Sequence, residues 1–393
     1  MIPANTAKGC PGREPGHQQF PRTARALGRA ATRHQQFPRT EHYGFLNALL
    51  FLAAALTICS CPLAAQEASP LRTLAETSGL MLGSVGDRGF RLTGQEGERF
   101  RTVLSREFGV LTAENDMKFA RLRPERGQYD FAWADSLLAF AAANGMKMRG
   151  HTLVWHRQLA PWLTRGQWTR EEARRQLEEH VTTVVRHFRG RLLAWDVVNE
   201  AIDDDGSQRS TFWSEHVGPD YIEFAFRVAH AADPDVPLFY NDYGIESINP
   251  KSDSVYALLK RLLDRGVPVH GIGFQGHFEV GQVPAKEELA KNFARFAALG
   301  LKIQITELDI RVPLPATEEH ARVQAENYHD VIAVCLEIAA CDTVVTWGFT
   351  DAFSWIPGQF PGYGAAHLFD ESYEPKPAYN RILELLRQSR PVS

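Results

Sequence analysis

Two carboxylates stand out by position. Glu200 ends the run LLAWDVVNE and Glu307 ends KIQITE, each closing an apolar segment. An acid at the end of such a strand is either solvated, paired with a base, or held for chemistry. Two acids facing one cleft are the equipment of glycoside hydrolysis, in which one protonates the departing oxygen and the other attacks carbon or activates water. A carboxyl separation of about 5–5.5 Å gives retention through a covalent intermediate, and a wider gap gives inversion. Sequence spacing leaves that choice open. His151 and His156 are five apart, which does not fit HExxH, and there is no CxxC pair, so no metal and no cofactor are expected.

The elements that must carry these residues repeat along the chain. Beyond Leu71, short apolar runs alternate with longer amphipathic ones. The expected strands are Leu80–Gly86, Phe108–Glu114, Lys147–Trp155, Leu192–Glu200, Pro237–Tyr243, Gly271–His277, Lys302–Asp309 and Thr343–Thr350. Helical spacing marks Arg170–Arg186, Tyr221–Ala231, Lys251–Arg265 and Glu287–Ala298. Eight strand–helix units predict an α/β fold, a closed (β/α)8 barrel in a single catalytic domain over 71–390. Polar residues gather at the strand ends: Glu114, Asn115 and Lys118; His151 and Trp155; Asn199 and Glu200; Asn241 to Tyr243; Gln275 and His277; Glu307 and Asp309; Trp347 and Asp351. Barrel active sites form on that face.

The chain has 393 residues and a net charge of −4, unevenly spread. Residues 1–66 carry seven basic and two acidic residues, leaving 36 against 45, or −9, for the body. An acidic body argues against nucleic acid as partner. Residues 1–42 repeat HQQFPRT at 17–23 and 34–40 and have no apolar period, as in a disordered leader or upstream sequence from a wrong start. Residues 43–66 lack charge and contain LLFLAAALTI, the pattern of a secretory signal peptide, with a membrane anchor or a lipid-modified Cys59 or Cys61 as alternatives. Residues 67–70 form a short linker. Secreted or periplasmic location follows, and Cys335 and Cys341, six apart, are expected to close a small disulfide loop.

From about Leu71 to Arg387 the chain resembles glycoside hydrolase family 10 endo-β-1,4-xylanases. The matching motifs are TAENDMKF, GHTLVWHRQ, WDVVNEA, YNDYG, GIGFQGH, ITELDI, WGFTDAFSW and PKPAY. The resemblance implies a retaining enzyme acting on xylan and xylo-oligosaccharides, with Glu200 as acid/base and Glu307 as nucleophile. The charge of Glu307 is expected to raise the pKa of Glu200. Asp309, two positions beyond Glu307, shares its strand face, and His277 is expected to bridge the two. Asn199 is expected beside the reacting sugar's neighbouring hydroxyl, with Gln275 in support. Glu114, Asn115, Lys118, His151 and Gln158 match residues holding sugars on the non-reducing side. Trp155, Trp347 and Trp355 offer flat faces to sugar rings, and Tyr243 is a contact on the far side.

Asp116 and Phe119 stand where Glu and Trp are common, and Gly244 where Asn is common, which bears on sugar affinity rather than on the reaction. The chain stops at Ser393 after its last helix, so no appended carbohydrate-binding module is expected. A monomer is expected, with no membrane contact beyond export or an N-terminal anchor. The competing readings are a non-catalytic sugar-binding barrel and a glucan-preferring hydrolase.

Overall fold

The computed structural model of the protein describes residues 70–389. The expected leader, the export segment and all but the last linker residue lie outside the described residues. Among the described residues there are ten strands: β1 (Met81–Val85), β2 (Val110–Thr112), β3 (Lys147–Val154), β4 (Ala194–Asn199), β5 (Leu238–Asp242), β6 (Gly271–Phe274), β7 (His277–Glu279), β8 (Lys302–Pro313), β9 (Cys341–Thr346) and β10 (Tyr363–Gly364). Hydrogen bonding runs β8-β6-β5-β4-β3-β2-β1-β9, and β9 pairs back onto β8. All of these pairings are parallel, so eight strands close a barrel.

Helices cross between successive barrel strands and cover the outside, giving the (β/α)8 architecture. Arg170–His187 shows why such a segment is helical and where it faces. Thr169 accepts the Glu172 backbone N–H while the Glu172 carboxylate accepts that of Thr169, a reciprocal cap on its first turn. Ala173, Leu177, Val181 and Val184 then recur at spacings of four and three and are buried, leaving the charged residues outside.

Several strand ends differ from expectation, and three of the differences lie at the strands that carry Glu200, His277 and Glu307. The sixth run is two strands, because Gly276 adopts φ +77° between them. Phe274 lies opposite Ile305, yet His277, three residues on, lies opposite Asp309, four residues on. That one-residue slip exchanges Leu308 for Asp309 as the partner of His277. The seventh strand runs past Asp309 to Pro313, where Val312 and Pro313 pair antiparallel with β10. The fourth stops at Asn199, and Glu200 leaves it with φ +56°.

The barrel interior below the mouth holds a buried charge pair. Arg149 and Asp196 are both fully buried, paired by two bonds of 2.9 and 2.7 Å. Gln304 accepts the Arg149 Nε–H at 2.8 Å, and the His151 ring lies 2.9 Å from Asp196. With these partners in place, the large desolvation penalty of the buried pair is offset.

Candidate active site

Glu307, near the middle of β8, points into the barrel mouth and is 5% exposed. Asn241, from the end of β5, donates from Nδ2 to its Oε1 at 2.8 Å and to Asn199 Oδ1 at 2.9 Å. Room for Asn241 comes from β6: a Cβ at Gly273 would stand 2.2 Å from Asn241 Oδ1. On the other side His277 Nε2 lies 3.1 Å from Glu307 Oε2, and its Nδ1 lies 3.0 Å from Asp309 Oδ1. Both ring nitrogens face carboxylate oxygens, so both bonds form only when the ring carries two protons. Burial opposes that charge, but the charges and hydrogen bonds of Asp309 and Glu307 outweigh it and push the His277 pKa up to about 10. The resulting imidazolium sets a positive charge against Glu307.

Glu200 sits at the end of β4, with the positive φ that turns its side chain back over the mouth. Trp155 Nε1 donates to its Oε2 at 2.8 Å, while Gln275 Nε2 and Asn199 Nδ2 donate to its Oε1 at 3.0 and 3.2 Å. Gln275 Nε2 also reaches Asn199 Oδ1 at 3.2 Å. One set of amides, Asn199, Asn241 and Gln275, thus joins the two carboxylates. Burial favours neutral Glu200, yet the donors Gln275 and Trp155 and the charges of His156 and Arg157 outweigh it and hold the carboxyl below its ordinary range. The expected rise from the Glu307 charge is therefore not the dominant influence in the open cleft.

The remaining sequence-predicted residues fall around this pair. Lys118 Nζ sits 4.7 Å from the Trp155 ring centre and 5.8 Å from that of Trp347, and 3.4 Å from Asn115 Oδ1. Burial lowers its pKa, against the pull of Glu307 and Glu114. Gln158 is exposed and donates to Asn115 Oδ1 at 3.1 Å; Glu114 pairs with Arg88 at 3.3 Å. Trp347 meets the His151 ring edge-on at 5.3 Å, and Trp355 Nε1 donates to Asp309 Oδ2 at 2.7 Å. Tyr243 bonds neither carboxylate. It joins the site through Arg209, which donates to the Tyr243 hydroxyl at 3.3 Å and to the Glu200 backbone carbonyl at 3.0 Å.

The family model described as glycosyl hydrolase family 10 matches residues 70–385. The chain belongs to glycosyl hydrolase family 10. It is 46% identical over 344 residues to endo-1,4-beta-xylanase B of Thermotoga neapolitana, an alignment covering 87% of this chain and 98% of that protein. Endo-1,4-beta-xylanase 5 of Pyricularia oryzae is 41% identical, covering 81% of this chain and 79% of the relative. Among solved structures, xylanase 10B of Thermotoga petrophila in complex with xylobiose is 47% identical with a TM-score of 0.79, covering 81% of this chain and 97% of that one.

Several residues of this family 10 site were not singled out from the sequence. Asn241 bonds Glu307 directly but reads in sequence only as one polar residue in YNDYG. Asp196 and Arg149 are charges inside apolar strands, and a charge there signals a buried partner. His156 Nδ1, 3.9 Å from Glu200 Oε2, is held to a pKa of about 4 chiefly by burial. Cys335 and Cys341 form a disulfide from the end of helix Glu318–Glu337 to the start of β9. Among the described residues no group of three or more His, Cys, Asp or Glu is arranged to hold a metal ion, and no helix is long and apolar enough to cross a membrane.

The His277 bridge makes a pH-dependent contribution to stability. Its folded pKa, about 10, lies above the ordinary 6.5, so the stabilisation is full below pH 6.5 and is lost as pH rises through 10. Denaturant unfolding at the two ends of that window should show the unmodified protein losing more stability than His277→Gln. Equal losses would contradict the bridge.

Proposed function

We propose that the protein is a secreted or periplasmic retaining endo-β-1,4-xylanase, with a catalytic barrel over residues 71–390 behind an export leader. The observation that carries the reading is the pair of buried carboxylates, Glu200 and Glu307, bound into one set of amides at the barrel mouth. The names of its relatives and the xylobiose in a related structure support xylan as the substrate.

In this mechanism Glu307 attacks the anomeric carbon while Glu200 delivers its proton to the glycosidic oxygen. The C–O bond breaks, the leaving sugar departs as an alcohol, and a glycosyl ester forms on Glu307. Substrate expels water from around Glu200, strengthening the burial that already favours its acid form. Once the ester forms, the charge on Glu307 is gone. Glu200, now ionised, removes a proton from water, whose oxygen attacks the same carbon and releases Glu307.

Asn199 and Gln275 face the reacting sugar's hydroxyls, where hydrogen bonds strengthen in the transition state. Trp347 and Trp355 are held by His151 and Asp309, and their bulk favours xylose, which lacks the hydroxymethyl group of glucose. Release of reducing sugar from xylan, with aryl xylobioside cleaved faster than aryl cellobioside, tests the reading. Binding without turnover would favour a sugar-binding barrel, and a cellobioside preference would favour a glucan hydrolase.

A further inference from the structure

Three large apolar side chains are exposed among the described residues: Trp133 at 45%, Ile248 at 43% and Leu314 at 50%. Trp133 is the one whose surroundings hold it in place. It is the second residue of helix Ala132–Ala143, which follows β2, so it lies toward the end of the barrel where the cleft opens. The Arg91 guanidinium stacks on its ring, 4.1 Å from the centre. Arg91 is in turn paired with Asp116, whose carboxylate is buried.

That pairing connects the indole to the cleft. Asp116 follows Glu114 and Asn115, and the Asp87 carboxylate accepts the backbone N–H groups of all three at 2.9, 2.5 and 3.0 Å. The segment carrying the sugar-side residues, the arginine and the indole are therefore one fixed unit. An isolated surface Trp exposes a large apolar area to water. One braced by a cation that is itself tied to the segment carrying Glu114 and Asn115 presents a ready platform for the C–H face of a pyranose.

We infer that Trp133, braced by Arg91, is an outlying sugar platform on the non-reducing side of the cleft, taking a xylosyl unit beyond those at Glu114, Asn115 and Lys118. The inference rests on the xylanase reading. It predicts a dependence on chain length that the central residues alone would not give. A single aromatic–sugar contact of ordinary strength corresponds to a change of about three- to tenfold.

The test is kcat/KM for xylohexaose and for an aryl xylobioside, measured with the unmodified enzyme, Trp133→Ala and Arg91→Ala. Trp133→Ala should lower the ratio of the two values by about three- to tenfold, and Arg91→Ala, which unbraces the ring, by less. Calorimetry of xylohexaose and xylobiose on Glu307→Gln carrying Trp133→Ala should show the same selective loss in binding. An unchanged ratio in the variants, with the enzyme active, would overturn the platform while leaving the xylanase reading intact. Absence of binding and turnover for every xylo-oligosaccharide would overturn both.

Discussion

Glu307→Gln is expected to abolish turnover of every β-xyloside, by about 10⁴–10⁶-fold in kcat, whatever the leaving group. The substitution preserves shape and the acceptor that Asn241 uses, so the fold should survive. What disappears is the nucleophile, which no good leaving group can replace. A second readout follows from the bridge. Removing one of the two carboxylates that hold the His277 proton should bring its pKa down from about 10, observable by NMR titration of the ring. Residual activity that grows with leaving-group quality would show that Glu307 is not the attacking group.

Glu200→Ala should behave differently. For xylan and unsubstituted oligosaccharides, loss of the acid is expected to lower kcat/KM by about 10²–10⁴-fold. An aryl xylobioside with a good leaving group needs no proton, so its first step should be nearly spared and the glycosyl-enzyme should accumulate. Azide, which needs no base, should then restore turnover and yield a β-xylosyl azide. The pH profile supplies a sign. The acid must be protonated, so kcat/KM for poor leaving groups falls as pH rises past the Glu200 pKa in the free enzyme, and that limb should vanish in the variant. Equal loss on activated and unactivated substrates would remove Glu200 from the acid role.

The barrel and its paired acids were legible in the sequence for a physical reason. Strands buried on both faces read as apolar runs, and Gly and Pro mark where they stop, so polar residues at those stops stand out. The GIGFQGH run showed its limit. Nothing in its composition marks the one-residue slip after Gly276, since register depends on what the partner strand does, yet that slip aligns His277 with Asp309. Asn241 likewise needed coordinates, because its contact with Glu307 spans 66 residues of chain and depends on the space left at Gly273. The ionisation of Glu200 is set by Trp155 and Gln275, which approach from β3 and β6, and no reading of NE alone could supply their directions.

During the reaction Glu307 is expected to become covalently bonded to sugar. An activated 2-deoxy-2-fluoro-xylobioside forms the ester quickly and hydrolyses it slowly, so the intermediate can be trapped and its peptide sequenced by mass spectrometry. One added disaccharide per chain, located on Glu307 and absent from Glu307→Gln, is the predicted result. A label on another residue, or none while the enzyme turns over normally, would contradict the mechanism.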